Sequence, residues 1–285
     1  MIFENIAHES YLKLDIPREI SKQAVLSTIK NPVQSFHTVW PKSGWMDCFG
    51  GATVGSIGRG WQLMNNMSHQ QVMVLTGIVG VTAAIVVGIG EFLLHFDPLA
   101  RFSADSYAFM LAASDERQTA GHFFGVLGAP LYVVGCWHIY LMLKPANQKL
   151  AFFGFLVSAY GFMIGADWIS SRASIGALVH FQESGGDIGD LVQLYQLRYE
   201  SLLQVIRVTT VVISLIFIYL ALTGRSHYQK WQAIFNPIVL LVMNFVIYAI
   251  SPDIGKYLMP IALNVAFGLF FLMSVVQAKK IVNGA

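Results

Sequence analysis

Residues 72–96 read VMVLTGIVGVTAAIVVGIGEFLLHF, and this stretch decides the fold. Its first nineteen residues carry no charge; Glu91 and His95 then follow inside the same apolar run. A helix crossing the ~30 Å hydrocarbon layer needs about 20 residues, so the run reads as a membrane span. Glu91 and His95 are four residues apart, which puts them on one helix face about one turn apart. An ionisable pair at membrane depth is costly and marks a candidate functional site.

The rest of the chain has the same character. Of its 285 residues, 55% are hydrophobic and 12% charged, with a mean hydropathy of +0.57. A soluble domain carries about 25% charged residues. Further apolar runs follow at 119–143, 150–174, 201–223, 231–250 and 257–278, the fifth interrupted by Asn236-Pro237. The expectation is an all-α, polytopic membrane protein, a bundle of six transmembrane helices. Helices are required because lipid offers no partner to free backbone groups, and no alternating barrel pattern is present. Pro130 and Pro237 are expected to kink their helices.

Lys and Arg in the short loops set the orientation. Lys144 and Lys149, then Arg225 and Lys230, then Lys279 and Lys280 occupy every second connection, without acids. The other two connections hold Asp97, Asp105, Asp115 and Glu116 against Arg101 and Arg117, and Glu183, Asp187, Asp190 and Glu200 against Arg198. This alternation predicts that both termini are cytoplasmic, with the acidic loops outside. Residues 103–113 read as a short interfacial helix and Ser114 as the N-cap of the second span. Residues 185–190 read as a turn-rich outer loop.

Residues 1–70 differ in composition and read as an N-terminal cytoplasmic tail ahead of a transmembrane domain, 71–285. Met64 and Met67 are alternative starts close to the first span. The glycine-rich stretch 50–60 lacks the GxxxxGK[ST] pattern of a phosphate loop. No secretory signal peptide is expected, since the first long apolar run begins near residue 72. Net charge is +2 and there is no basic stripe, which excludes nucleic acid as a partner. Cys48 and Cys136 form no CxxC or zinc-type spacing.

Gly77 and Gly80 in the first span, Gly121, Gly125 and Gly128 in the second, and Gly154, Ser158, Gly161 and Gly165 in the third form small-residue faces for close helix approach. Counting depth at ~1.5 Å per residue brings polar residues of all six helices to one outer level. The candidate ligand-binding set is Glu91, His95, His122, Asp167, Arg172, Arg207, Asn244 and Asn264. It predicts an outward-facing polar pocket that binds or transports a small ligand, with no cofactor identified. His138, on another face beside Trp137 and Tyr140, reads as a satisfied interfacial residue.

Two other readings compete. Glu91, His95, His122 and Asp167 could supply N and O ligands to zinc in an intramembrane hydrolase, or act in acid/base chemistry. Helical hydrolases of the alkaline ceramidase class use His and Asp in this way, but the last span here has no HxxxH. The same charges could instead form a register-fixing network in a non-catalytic scaffold or sensor component.

The segments GEFLLHFDP, SDERQTAGHFFGVLGAPLY and GADWISSR, within residues 70–280, give the chain its overall pattern. That pattern resembles uncharacterised six-span bacterial membrane proteins. The resemblance implies fold and a bacterial inner-membrane location, and no activity.

Overall fold

The computed structural model describes residues 68–102 and 107–283. Among these residues there are helices and no strands. The tail 1–67, with its glycine-rich stretch and both candidate starts, lies outside the described residues, as do 103–106.

The first helix, α1 (His69–His95), opens on a capping box. The Ser68 side chain accepts from the Gln71 N–H, and the Gln71 side chain accepts from the Ser68 N–H. Helix α2 (Asp115–Leu143) starts where expected: Ser114 Oγ accepts from the Arg117 N–H, with Asp115 and Glu116 in the first turn. Between them lies a 3-10 turn, Ala108–Ala112, shorter than the helix expected there. Arg117 donates to the carbonyls of Phe92 and Phe96, closing the end of α1 on the start of α2.

Helices α3 (Gln148–Glu183) and α4 (Leu191–Leu222) are longer than their apolar runs. At ~1.5 Å per residue they measure about 54 and 48 Å, well beyond the hydrocarbon layer. The acidic segments around Glu183 and Glu200 are therefore mostly helix. The loop between them shrinks to a turn in which Gly185 and Gly189 have φ of 91° and 49°.

The fifth apolar run departs most from expectation. A 3-10 turn, Lys230–Phe235, precedes a helix α5 of 14 residues, Pro237–Ile250. Pro237 does not kink a long helix. It occupies the first turn, where its missing N–H costs nothing, and Asn236 Oδ1 caps Ile238 and Val239. The chain returns through α6 (Pro252–Leu258), a 3-10 turn and α7 (Ala262–Asn283). Five of the helical segments are long and apolar enough to cross a membrane; α5 falls short of that length.

From α1 to α4, neighbours in sequence are neighbours in space. Helix α1 packs on α2 and α7, α2 on α3, α3 on α4, and α5 on α7; α5 and α4 touch only lightly. The outer faces are apolar, with Leu127, Met163, Leu215 and Ile250 all largely exposed. Such continuous apolar surface belongs in lipid.

The glycine faces of the first two spans work as expected, whereas a Cβ on Gly165 of the third would meet nothing within 4 Å. A Cβ on Gly90 would sit 2.6 Å from the Gly125 nitrogen, and one on Gly135 would sit 2.8 Å from the Gly80 Cα. Only a backbone without side chains permits that approach of α1 to α2.

One end of the bundle gathers the basic segments. The His227 N–H donates to the Met142 carbonyl, and Gln277 Nε2 donates to the His227 carbonyl. His138 Nδ1 lies 2.7 Å from the Met73 carbonyl and its Nε2 2.6 Å from Ser274 Oγ, which also meets the Tyr228 hydroxyl. The start of α1 and the ends of α2, α4 and α7 therefore meet at that end. His138 is a satisfied core residue.

Candidate functional site

A cavity of about 680 Å³ occupies the middle of the helix ring. That lies within the range of small-molecule sites. Its wall on α3 is a stripe at helical spacing: Ser158, Gly161 and Phe162, Gly165, Trp168 and Ile169, then Arg172. Glu91 and His95 of α1 reach it on one face, one turn after Val87. Asn264 of α7, Tyr132 of α2, Tyr199 of α4, and Tyr107 and Phe109 of the α1–α2 connection complete its polar end.

Two hydrogen-bonded groups sit side by side there. In the first, the Tyr132 hydroxyl donates to Asn264 Oδ1, and Asn264 Nδ2 donates to Glu91 Oε2. All three residues are buried, and Tyr132 is held flat against Phe162 with ring centroids 4.0 Å apart. In the second, Arg172 Nε donates to His95 Nε2 at 2.6 Å. His95 therefore presents an unprotonated Nε2 and carries its proton on Nδ1. The Arg172 guanidinium is enclosed by aromatic rings, with its Cζ 4.0 Å from the Tyr199 centroid, 4.9 Å from Trp168, 5.4 Å from Phe109 and 5.7 Å from Tyr107. Such contacts partly replace lost hydration.

They do not replace hydrogen bonds. Arg172 Nη1, Trp168 Nε1 and the hydroxyls of Tyr107 and Tyr199 are buried and have no hydrogen-bond partner among the described residues. Arg172 is in neither of the two ion pairs found there, Arg101–Asp97 and Lys256–Asp253. Burial pushes the Tyr107 phenol up from its ordinary pKa, with Glu200 adding to this and Arg172 opposing, so it remains a protonated donor. Tyr107 also holds a left-handed backbone, φ 55°, uncommon for a residue with a Cβ.

The cavity's other half is apolar. The hydroxyls of Ser158, Thr209 and Thr210 bond to carbonyls of their own helices, so none of these three is free to meet a ligand. Gly165 faces open space, with nothing within 4 Å of where its Cβ would be.

Of the eight candidate residues, Glu91, His95, Arg172 and Asn264 come together in this cavity, and Arg207 lines it at an exposed position. The other three do not. Asp167 is exposed on α3, away from the lining. His122 turns its Nδ1 to the Ser170 carbonyl. Asn244 is buried, but its amide donates to the carbonyls of Leu240 and Ala262, fastening α5 to the start of α7. The proposed zinc set is thereby split, since His122 and Asp167 lie apart from Glu91 and His95. Among the described residues no three His, Cys, Asp or Glu side chains are placed to share a metal. Sequence reasoning missed Tyr107, Tyr132, Trp168 and Tyr199. Their only signal was helical spacing from Arg172 for Trp168.

Residues 64–281 match the model of a family described as a family of unknown function, DUF6796, and the chain belongs to it. No curated protein matches the chain. No solved structure matches it.

Proposed function

We propose that this member of a family of unknown function is a six-span protein of the bacterial inner membrane. Both termini are cytoplasmic, and a small ligand is bound or carried in the central cavity, which opens toward the outer side. The single observation behind the ligand is the cavity itself: about 680 Å³ of space with Glu91, His95, Arg172 and Asn264 gathered at one end. A register-fixing network would fill its interior instead of leaving a void, because voids forfeit packing contacts.

The six-span reading is supported by where the helices end. Helices α4 and α7 both finish at the basic end, so the chain between them must cross and return. The 14 residues of α5 cover about 21 Å. The preceding 3-10 turn, at about 2 Å per residue, supplies the rest. Trp231 and Lys230 in that turn suit the polar–apolar boundary. The basic end is then cytoplasmic by its Lys and Arg content.

The cavity reading is tested by filling the space. Replacing Gly165 with Phe puts a ring into open volume without a clash at Cβ. Binding of oleate and oleyl alcohol to the purified protein, counted by native mass spectrometry, is expected to fall at least tenfold in Gly165→Phe while melting is unchanged. If neither probe binds the wild type, or the variant binds both equally well, the cavity is not a ligand site.

A further inference from the structure

We propose that the ligand is an anionic amphiphile that enters sideways from the bilayer, between α4 and α5. Its oxyanion docks against Arg172, Tyr107, Trp168 and Tyr199. This rests on the cavity being a ligand site and names the chemistry it takes.

The head of the site is defined by what lacks a partner. Four buried donor groups, Arg172 Nη1, Trp168 Nε1 and the Tyr107 and Tyr199 hydroxyls, belong to residues that line one end of the cavity, and none has an acceptor among the described residues. Buried polar groups are almost always hydrogen-bonded, so each orphan calls for an explanation. One coincidence could be chance; four on one guanidinium and the rings stacked around it form a set. Arg172 carries a charge that no carboxylate among the described residues neutralises by contact. Glu91 is engaged by Asn264, and His95 accepts from Arg172 without contributing charge. Glu200, half-buried at the cavity wall, makes no ion pair with it. A compact oxyanion would satisfy both deficits, accepting several N–H and O–H bonds and pairing the charge. Carboxylate and phosphate share this chemistry.

The body of the site is defined by its apolar walls. From Arg172 the cavity continues past Phe162, Ile206, Ile213 and Phe267, with the nearby hydroxyls turned to their own backbones. That half suits a hydrocarbon chain.

The entrance is defined by lining residues that are also exposed. Arg207 and Val211, one turn apart on α4, and Phe245 on α5 line the cavity and are exposed on the bundle's side. They flank the one place in the ring where adjacent helices barely touch. Because α4 and α5 present apolar outer faces there, this gap opens to lipid. Arg207 stands at it as the charge an anionic headgroup would meet first. The source is therefore the membrane, and a free anion lacks the chain that fills the remaining volume.

The experiment titrates four probes into the full chain in nanodiscs of zwitterionic phosphatidylcholine, which has no net charge, and counts bound probe by native mass spectrometry. The probes are oleate, oleoyl lysophosphatidate, oleyl alcohol and inorganic phosphate. Oleate or the lysophosphatidate should bind one per chain, at least about tenfold more tightly than the alcohol, as expected when hydrogen bonds to charge are lost. Phosphate alone should bind weakly. Tyr107→Phe with Tyr199→Phe removes only hydroxyls that lack partners, so the empty protein should melt no lower. Affinity for the anionic probe should nonetheless fall about tenfold or more. Arg172→Met should abolish the preference for the anion over the alcohol. Equal binding of oleate and oleyl alcohol that Gly165→Phe removes would overturn the headgroup assignment and leave the cavity reading intact. Tight binding of phosphate alone would overturn the membrane source. Failure of every amphiphile to bind would overturn both readings.

Discussion

Replacing a single glycine should have opposite effects at two places in this bundle. At Gly90 an added Cβ would lie 2.6 Å from the Gly125 nitrogen, 2.8 Å from the Gly121 oxygen and 3.0 Å from the Gly125 Cα. All three are backbone atoms, so no rotamer change relieves them. Helices α1 and α2 must separate by most of an ångström, and that loosens the whole seam between them. Overpacking costs about 1–3 kcal/mol, and a contact made wholly of backbone belongs at the upper end. Alanine returns about 1 kcal/mol through its better helix propensity. The net loss for Gly90→Ala is about 2 kcal/mol, or about 4–8 °C in melting temperature for a domain of this size. At Gly165 the Cβ meets nothing within 4 Å. Only the propensity gain remains there, so Gly165→Ala should melt about 1–4 °C higher. Thermal unfolding of both variants and the wild type in one detergent reads the two signs together. A Gly90→Ala protein that melts with or above the wild type would refute the argument that α1 and α2 pack backbone to backbone.

The buried chain His138–Ser274–Tyr228 should behave as a unit. Ser274→Ala strands both His138 Nε2 and the Tyr228 hydroxyl and should cost about 2–4 kcal/mol. Adding Tyr228→Phe should recover part of that loss, and a double-mutant cycle with no coupling would contradict the bonding pattern. Asp97 should give the fold an acid limb. Its burial raises the carboxyl's pKa, but bonds from the Arg101 side chain and the Leu99 and Arg101 N–H groups outweigh that, holding it below its ordinary 3.8. The folded state then takes up this proton later than the unfolded chain. The stabilisation is complete above the ordinary value and disappears as pH falls through the folded one. Asp97→Asn should flatten melting temperature against pH in that window; an unchanged profile would remove Asp97 from the account. Topology is read by an impermeant maleimide applied to intact cells. A cysteine at Ser184 should label and one at Asn147 should not; the reverse pattern would invert the orientation.

The architecture was legible where polarity is expensive. A charge in an apolar run or a basic residue in a short loop costs too much to be placed at random, so Glu91, His95, Arg172 and Asn264 could be picked out from sequence. Depth along an axis, however, leaves rotation about it undetermined. Asp167 and Arg172 share a level to within ~8 Å, yet five residues at ~100° each turn them about 140° apart. Once Arg172 faces the cavity, Asp167 must face away, and it does. The long apolar runs gave no rotation signal to resolve this, because lipid-facing and core-facing positions are equally hydrophobic. Helix ends were misjudged for a related reason. The polar stretches of α3 and α4 beyond the apolar runs read as loop, although nothing in them breaks a helix until Gly185.

The aromatic donors were illegible for a different physical reason. Tyr and Trp rings fill packing positions as readily as Phe, and sequence does not show where their polar tips point, so Tyr107, Trp168 and Tyr199 read as packing. In the fold, packing accounts for their rings and not for their N–H and O–H groups. Ring stacking satisfies the Arg172 guanidinium face, with Trp168 and Tyr199 at 5.0 Å from each other, but stacking accepts no hydrogen bond. Had these positions served the core alone, phenylalanine would fill the same space without leaving buried donors unpaired, each at about 1–3 kcal/mol. Three polar-tipped rings around an arginine with no carboxylate partner among the described residues therefore carry a standing penalty. A bound acceptor of the proposed kind would relieve it, and that relief would contribute to its affinity.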